Sequence, residues 1–330
     1  MTNMSTSRQA ETADFAHGGA PEVPTFEPDW LTSSAELPDL TSLRLLCVIA
    51  HCGSIGRAGK QLGIAQPSAS QRLRQLERRT GIPLVERTFR GCVLTAEGRR
   101  VVAEAEVLLD AADKFRSSVE LLRLTAQGKL SLAASCVVAE FLLPGWITRL
   151  RDVQPDLSIS LKMCNSAAVA RELERSTIDL GFIEGPDTPD DLVEVPVATD
   201  ELKVVVGAAH QLYGRPRVCI DQLLESRLIT RELGSGTRDT LELALDHHGV
   251  SLPPGVLELG STSAIRSAVV QGAGVGILST LAIEELVASG AIWVMNVPGL
   301  RMHRTLRAVY RAGSVLSHPA RELLVIATST

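Results

Sequence analysis

The chain has 330 residues, 45% of them hydrophobic and 22% charged, with a formal net charge of −5. Those proportions suit an ordinary globular protein of about two or three domains and exclude a fibrous or low-complexity chain. No apolar run reaches membrane-span length, the first twenty residues hold no apolar block, and six scattered cysteines show no C-x-x-C spacing, so a cytoplasmic protein without membrane contact, disulfide framework or zinc site is expected.

Residues 1–38 are rich in Ser, Thr, Pro, Ala and Glu without periodicity and read as a disordered extension. A helical pattern opens at Thr41, a plausible N-cap, with Leu43, Leu46, Cys47 and Ala50 on one face, and Gly53 ends it. Ser54 caps a second helix over 55–62, residues 63–65 form a turn, and a third helix spans 66–80 with Pro67 in its first turn and Gly81 at its stop. Two strand-like pieces, 84–88 and 91–94, flank a tip at 89–91. From 96 to 126 apolar residues or alanines recur at Val101, Ala105, Leu108, Ala112, Phe115, Val119, Leu122 and Ala126. This heptad seam predicts a helix of roughly 45 Å that wants a partner helix, most economically from a second copy of the chain. Beyond Gln127-Gly128, strand patterns at 130–134, 158–163, 180–183, 202–208, 228–230, 256–259, 275–278 and 305–310 alternate with helices at 140–154, 167–176, 237–248, 264–271 and 282–288, the signature of α/β sheets with crossover helices.

Residues 54–77 read SIGRAGKQLGIAQPSASQRLRQLE. Ala58-Gly59 are small enough for two helices to cross, Gly63 allows a tight turn, and Leu62, Ile64, Leu73 and Leu76 supply buried anchors. The outward face of the later helix carries Gln66, Ser68, Ser70, Gln71, Arg72 and Arg74, groups that read base edges or grip phosphates. Between Asp39 and Arg100 stand eleven Arg and Lys against four Asp and Glu, so the remainder of the chain is strongly acidic. A basic head on an acidic body suggests that only the head meets a polyanion.

With Gly53-Ser54, Arg57-Ala58, Leu62, Gln66-Pro67, Ser70, Leu76-Glu77, Gly81, Leu84, Arg87, Leu94-Thr95 and Gly98, the stretch 43–98 resembles the DNA-binding domain of LysR-type transcriptional regulators. Gly59, Ala69 and Val85 depart from the family's usual residues and are expected to loosen packing. The resemblance implies an α/β protein overall: a mostly α N-terminal winged helix-turn-helix (39–95), a long linker helix (96–127), and a C-terminal two-lobed α/β effector domain of periplasmic-binding-protein type (128–330). Lobe one would hold 129–199 and 305–330, lobe two 200–304. The expected DNA contacts are Ser54, Arg57, Gln66, Pro67, Ser68, Ser70, Gln71, Arg72 and Arg74, with Arg87 and Arg90 in the wing. Gln66, Pro67, Ser70 and Gln71 are the candidates for base edges, and Arg87 reads equally as an ion-pair partner within the domain. The implied partners are double-stranded DNA, a small anionic effector, further copies of the chain in a dimer or tetramer, and RNA polymerase; no cofactor is implied.

Three clusters suit an effector. Ser135-Cys136 opens a helix, Arg231-Glu232-Leu233-Gly234-Ser235-Gly236-Thr237-Arg238 lies between strand and helix, and Ser261-Thr262 leads into another helix. Each offers hydroxyls and free N–H groups to an anion, although any one alone reads as a plain N-cap. The ligand candidates are therefore Ser135, Cys136, Ser235, Thr237, Ser261 and Thr262, with Arg238 facing either inward or to solvent. The glycines at 272–276 follow a helix and open a strand, the reverse of a dinucleotide loop. His247-His248 diverge on a helix, and Cys136 has no second cysteine close in sequence. A solute-binding protein without DNA function and an α/β enzyme are the competing readings. The basic head argues against the first, and the lack of an assembled nucleophile–base set against the second.

Overall fold

The computed structural model describes residues 38–88, 91–186 and 188–329. Apart from Pro38, the extension expected over 1–38 lies outside the described residues, as do the tip residue Phe89 and the candidate contact Arg90. The chain divides into two compact units at residues 102–103.

The first unit begins with α1 (Leu40–Cys52), α2 (Ile55–Gln61) and α3 (Gln66–Thr80), followed by a hairpin of β1 (Val85–Thr88) and β2 (Gly91–Leu94). Asp39, not Thr41, caps α1: its carboxylate accepts from the Ser42 amide at 3.0 Å and the Ser42 hydroxyl at 2.7 Å. That hydroxyl is the main reason the carboxyl sits below its ordinary range. Both residue types cap well, so sequence alone placed the start two residues late. Gly53 closes α1 at φ 64°, a left-handed conformation that costs glycine little. Leu43, Leu45, Leu46, Ile49, Ala69, Leu73 and Leu76 are buried, and each such Leu or Ile contributes about 1.5–3 kcal/mol. Gly59 does not loosen this packing. A Cβ there would stand 2.9 Å from the Ile64 carbonyl oxygen, so the missing side chain lets the turn close onto α2. Glu77 ties α3 to the hairpin, accepting from the Leu84 and Val85 amides at 2.9 and 3.3 Å.

Helix α4 (Ala96–Ala126) is continuous over 31 residues. In the second unit, β3 (Lys129–Ala134), β4 (Ser158–Met163), β5 (Leu180–Ile183), β11 (His303–Arg311) and the first half of β6 (Leu192–Gly207) form the sheet of lobe one, in the order β4-β3-β5-β11-β6. Leu130, Leu132 and Ala134 of β3 face a core with Trp146, Phe182 and Leu323, while Ala133 faces another with Val169 and Val309. This is the period-two alternation of a strand covered on both sides. The covering helices are a π-helical turn (Val138–Leu142) running into α5 (Leu143–Val153), α6 (Ser166–Glu174) and α11 (His318–Thr328).

β6 passes between lobes. Residues 192–201 pair with β11, and residues 202–206 pair with β9 (Val275–Ser279). β10 (Ile292–Met295), β7 (Leu228–Thr230) and β8 (Leu257–Glu258) complete the sheet of lobe two. Helices α7 (Ile220–Leu224), α8 (Gly236–Asp246), α9 (Thr262–Val270) and α10 (Thr280–Ala288) accompany that sheet, and α8 and α9 pack on opposite faces: Val204, Ile277 and Leu241 share one core, Val205, Ile265 and Val269 the other. Among the described residues no helix is long and apolar enough to cross a membrane.

Candidate functional site

The first candidate surface belongs to the three-helix head. Helical periodicity puts Ala69, Leu73 and Leu76 of α3 inside, and Gln66, Pro67, Ser68, Gln71 and Arg74 on the exposed side. Ser70 and Arg72 are half-buried. Arg72 lies 3.7 Å from Asp39 at the start of α1, and the Arg74 Nε donates to the Ser70 carbonyl at 3.2 Å within α3. Ser54 caps α2 by accepting from the Arg57 amide, and Arg57 donates to the Cys52 carbonyl. Arg87 is exposed on β1.

The second lies between the lobes. Ser135, Cys136, Ser235, Thr237 and Thr262 are all buried, and each stands at or next to a helix start. Ser261 caps α9, accepting from the Ala264 amide at 3.1 Å. The Thr237 hydroxyl is already engaged: it accepts from Arg304 Nη1 at 3.0 Å and donates to Glu184 Oε1 at 3.4 Å. Arg238 is paired with Glu242 and Glu258, at 2.7 and 2.5 Å, and donates to the Arg231 carbonyl at 3.5 Å.

Around these residues runs a network of buried charge. Arg304 pairs with Asp200 at 2.7 Å and lies 3.5 Å from Glu184, all three almost wholly buried. Asp200 also accepts from the hydroxyls of Ser279 and Thr280. Arg231 is paired with Glu232 through Nε and Nη2 at 2.8 and 2.9 Å. Burial would raise the Glu232 carboxyl, but the Arg231 guanidinium and the Asn165 amide hold it below its ordinary range. Burial pushes the Cys136 thiol up, with the Arg231 guanidinium beside it pulling the other way. The lobes touch directly: Asn165 donates to Glu232 at 3.2 Å, and the Ala167 amide to the Gly234 carbonyl at 3.1 Å. Among the described residues no three His, Cys, Asp or Glu side chains gather as metal ligands would.

Residues 40–99 match the bacterial regulatory helix-turn-helix protein, lysR family, and residues 124–329 match the LysR substrate binding domain. The chain belongs to the LysR family of transcriptional regulators. One relative, the HTH-type transcriptional regulator Rv2282c of Mycobacterium tuberculosis, is 38% identical over 289 residues, covering 85% of this chain and 93% of its own. The regulatory domain of Synechocystis PCC6803 CcmR, solved in complex with 2-PG, is 27% identical with a TM-score of 0.55, covering 61% of this chain and 96% of that one. Vibrio fischeri DarR, solved in complex with DNA, shares the fold at a TM-score of 0.57 and 19% identity, covering 89% of this chain and 100% of that one.

In this LysR-type regulator the contact between the two lobes of the effector domain carries more charge than the sequence suggested. Arg231, Glu232, Glu184, Asp200, Arg304 and Asn165 were not among the expected ligand residues. Glu184 and Arg304 are lone charges at strand ends, 120 positions apart in the chain, and only the sheet brings them together. The one available signal was Arg231-Glu232 directly after an apolar strand, where a charged pair is costly to bury unless it is used.

Proposed function

We propose that this LysR-type regulator binds promoter DNA as a dimer, or as a tetramer joined through its effector domains, and that a small anionic metabolite in the inter-lobe cleft sets its response. The exposed face of α3 carries the reading. Gln66, Pro67, Ser70 and Gln71 meet base edges in the major groove, while Ser54, Arg57, Ser68, Arg72, Arg74, Arg87 and Arg90 grip phosphates or the minor groove. The DNA-bound state of DarR, which has this fold, supports that reading. Along α4, Leu108, Phe115, Val119 and Leu122 stay exposed in a single chain, with Phe115 at 72%, and a second α4 would cover them. The effector contacts are drawn from Ser135, Cys136, Ser235, Thr237, Ser261 and Thr262, and the CcmR regulatory domain in complex with 2-PG supports a small-molecule cleft. Such a regulator works in the cytoplasm, where it also meets RNA polymerase.

Genomic DNA fragments captured by the full-length protein and sequenced test this function. A shared two-fold motif whose half-sites lie whole helical turns apart is expected. Capture of fragments with no common motif would remove the sequence-specific reading.

A further inference from the structure

The chain ahead of α1 precedes the family's helix-turn-helix domain, which is matched from residue 40, and its composition is unlike that of the head. Residues 1–38 hold six carboxylates (Glu11, Asp14, Glu22, Glu27, Asp29 and Glu36) against the single Arg8, and no Lys or Arg stands between Arg8 and Arg44. Three of the nine Phe and Trp residues of the whole chain also lie there, which a merely solvating tail does not need. In Phe26-Glu27-Pro28-Asp29-Trp30-Leu31 these apolar groups stand directly beside carboxylates. Residues 101–330 carry 21 Lys and Arg against 28 Asp and Glu, so on balance they repel such a segment. The head, with eleven against four over residues 39–100, attracts it.

That acidic stretch joins the fold beside α3. Asp39, the cap of α1, lies 3.7 Å from Arg72. A groove of about 690 Å³ runs along α3, and its lining includes Gln71, Arg74, Glu77, Arg78, Ile82 and Pro83. Gln71, Arg74 and Arg78 are exposed and follow helical spacing, so they share one face. Glu77 is no free counter-charge there, because its carboxylate accepts from the Leu84 and Val85 amides at 2.9 and 3.3 Å. The groove therefore presents two guanidinium groups beside a small apolar surface, the complement of residues 26–31. Reach is sufficient. The nine residues from Trp30 to Asp39 span up to about 30 Å when extended, against a helix diameter of about 10–12 Å.

We propose that residues 26–36 dock in the α3 groove of their own head and cover Gln71 and Arg74, which makes the extension a built-in competitor of DNA. This rests on the reading of α3 as the helix that meets DNA. Glu27 and Asp29 face Arg74 and Arg78, and Trp30 covers Ile82 and Pro83. A weak contact is enough, because a segment on so short a tether has an effective concentration in roughly the millimolar range. Every duplex must displace the segment. Random DNA, held mainly through phosphates, is therefore released first, while a tightly bound operator still fills.

Fluorescence anisotropy on the full-length protein with a labelled random-sequence duplex at low salt tests it. The combined variant Glu27→Gln, Asp29→Asn and Glu36→Gln should bind about three- to tenfold more tightly than the parent. Trp30→Ala changes no charge and should tighten binding about two- to fivefold. Docking is read directly from Trp30: the difference between parent and Trp30→Phe emission should be blue-shifted without DNA and move to the red as duplex is added. Equal affinity of the parent and both variants overturns the proposal, as does weaker binding by either variant. Tighter binding by the charge variant alone, with Trp30 emission indifferent to duplex, overturns it too, since only long-range repulsion then remains. Gln71→Ala and Arg74→Ala separate the two readings. If they leave duplex binding unchanged, the DNA reading of α3 falls and the proposal with it. If they weaken binding while the extension variants do not alter it, that reading stands and the docked extension falls.

Discussion

Thr237 shows how one hydroxyl is shared by a buried ion network. It satisfies Arg304 on one side and Glu184 on the other, at 3.0 and 3.4 Å. Thr237→Val keeps the shape and leaves both charges short of a partner, which should destabilise the effector domain by about 1–3 kcal/mol in urea unfolding. An unchanged midpoint would mean that the remaining Asp200 pair is sufficient by itself. Thr237 is also a candidate ligand contact, so the substitution tests stability as well as effector binding. On the head, Gln71 is exposed on α3 with an amide that can pair with an adenine edge. Gln71→Ala should relax discrimination at one base position by about 1–3 kcal/mol while leaving the salt dependence of binding unchanged, read by fluorescence anisotropy on single-base operator variants. A uniform loss across all variants would instead assign Gln71 to the phosphate backbone.

At the scale of elements, α4 carries two separate roles along its length. Its seam holds Leu108 and Phe115 exposed. Leu108→Glu with Phe115→Glu would bury two carboxylates between paired helices, so sedimentation should show the double variant at half the oligomeric mass of the parent protein. An unchanged mass would move the interface off α4. At its far end, Thr125 donates to Asp179 at 3.2 Å, and Asp179 also accepts from the Ser131 amide at 2.8 Å, fixing the helix end to β3. Burial raises the Asp179 carboxyl above the usual aspartate range, against both of those donors. A carboxyl raised in the folded state binds its proton more tightly there than when unfolded. Its contribution to stability is therefore full below the unfolded value and is lost as pH rises through the folded one. Asp179→Asn should flatten that part of the stability–pH curve in urea titrations across the acidic range; an unaltered curve would assign the slope to other groups.

Across the whole effector domain, the lobes meet through backbone as much as through side chains. A Cβ on Gly236 would stand 2.3 Å from the Gly185 amide nitrogen and 2.4 Å from the Glu184 carbonyl carbon. Gly236→Ala should therefore wedge the lobes apart, enlarging the radius of gyration in small-angle scattering and weakening effector binding more than tenfold, beyond the about 1.4 kcal/mol that a tenfold change represents. Unchanged scattering and affinity would show that the contact yields locally.

The periodic and capped elements were legible in the chain itself. The 66–80 helix with Pro67 in its first turn, the 31-residue helix and the short buried strands of both lobes follow from local spacing, which a helix or strand imposes on its own residues. Other elements escaped. The first half of β6 contains Pro196, Thr199 and Asp200, and Pro196 is accepted in the sheet beside an irregularity in pairing with β11 at Leu306 and Arg307. β10 and α11 were not anticipated, although Met295 and Leu323 are buried once the sheets assemble. The candidate site divides the same way. Serines and threonines at helix starts could be picked out because capping is a local signal, yet sequence could not say which of them cap and which are left unpartnered. Ser261 caps its helix and Ser235 does not, and the start of α8 lies against Glu184 and Gly185 of lobe one. Local sequence thus determined the family, most of the elements in their order and the exposed face of α3. The tertiary structure alone decided that Glu184, Asp200, Thr237 and Arg304 form one buried network, since their hydrogen-bond partners depend on residues about a hundred positions apart being brought together by β6 and β11.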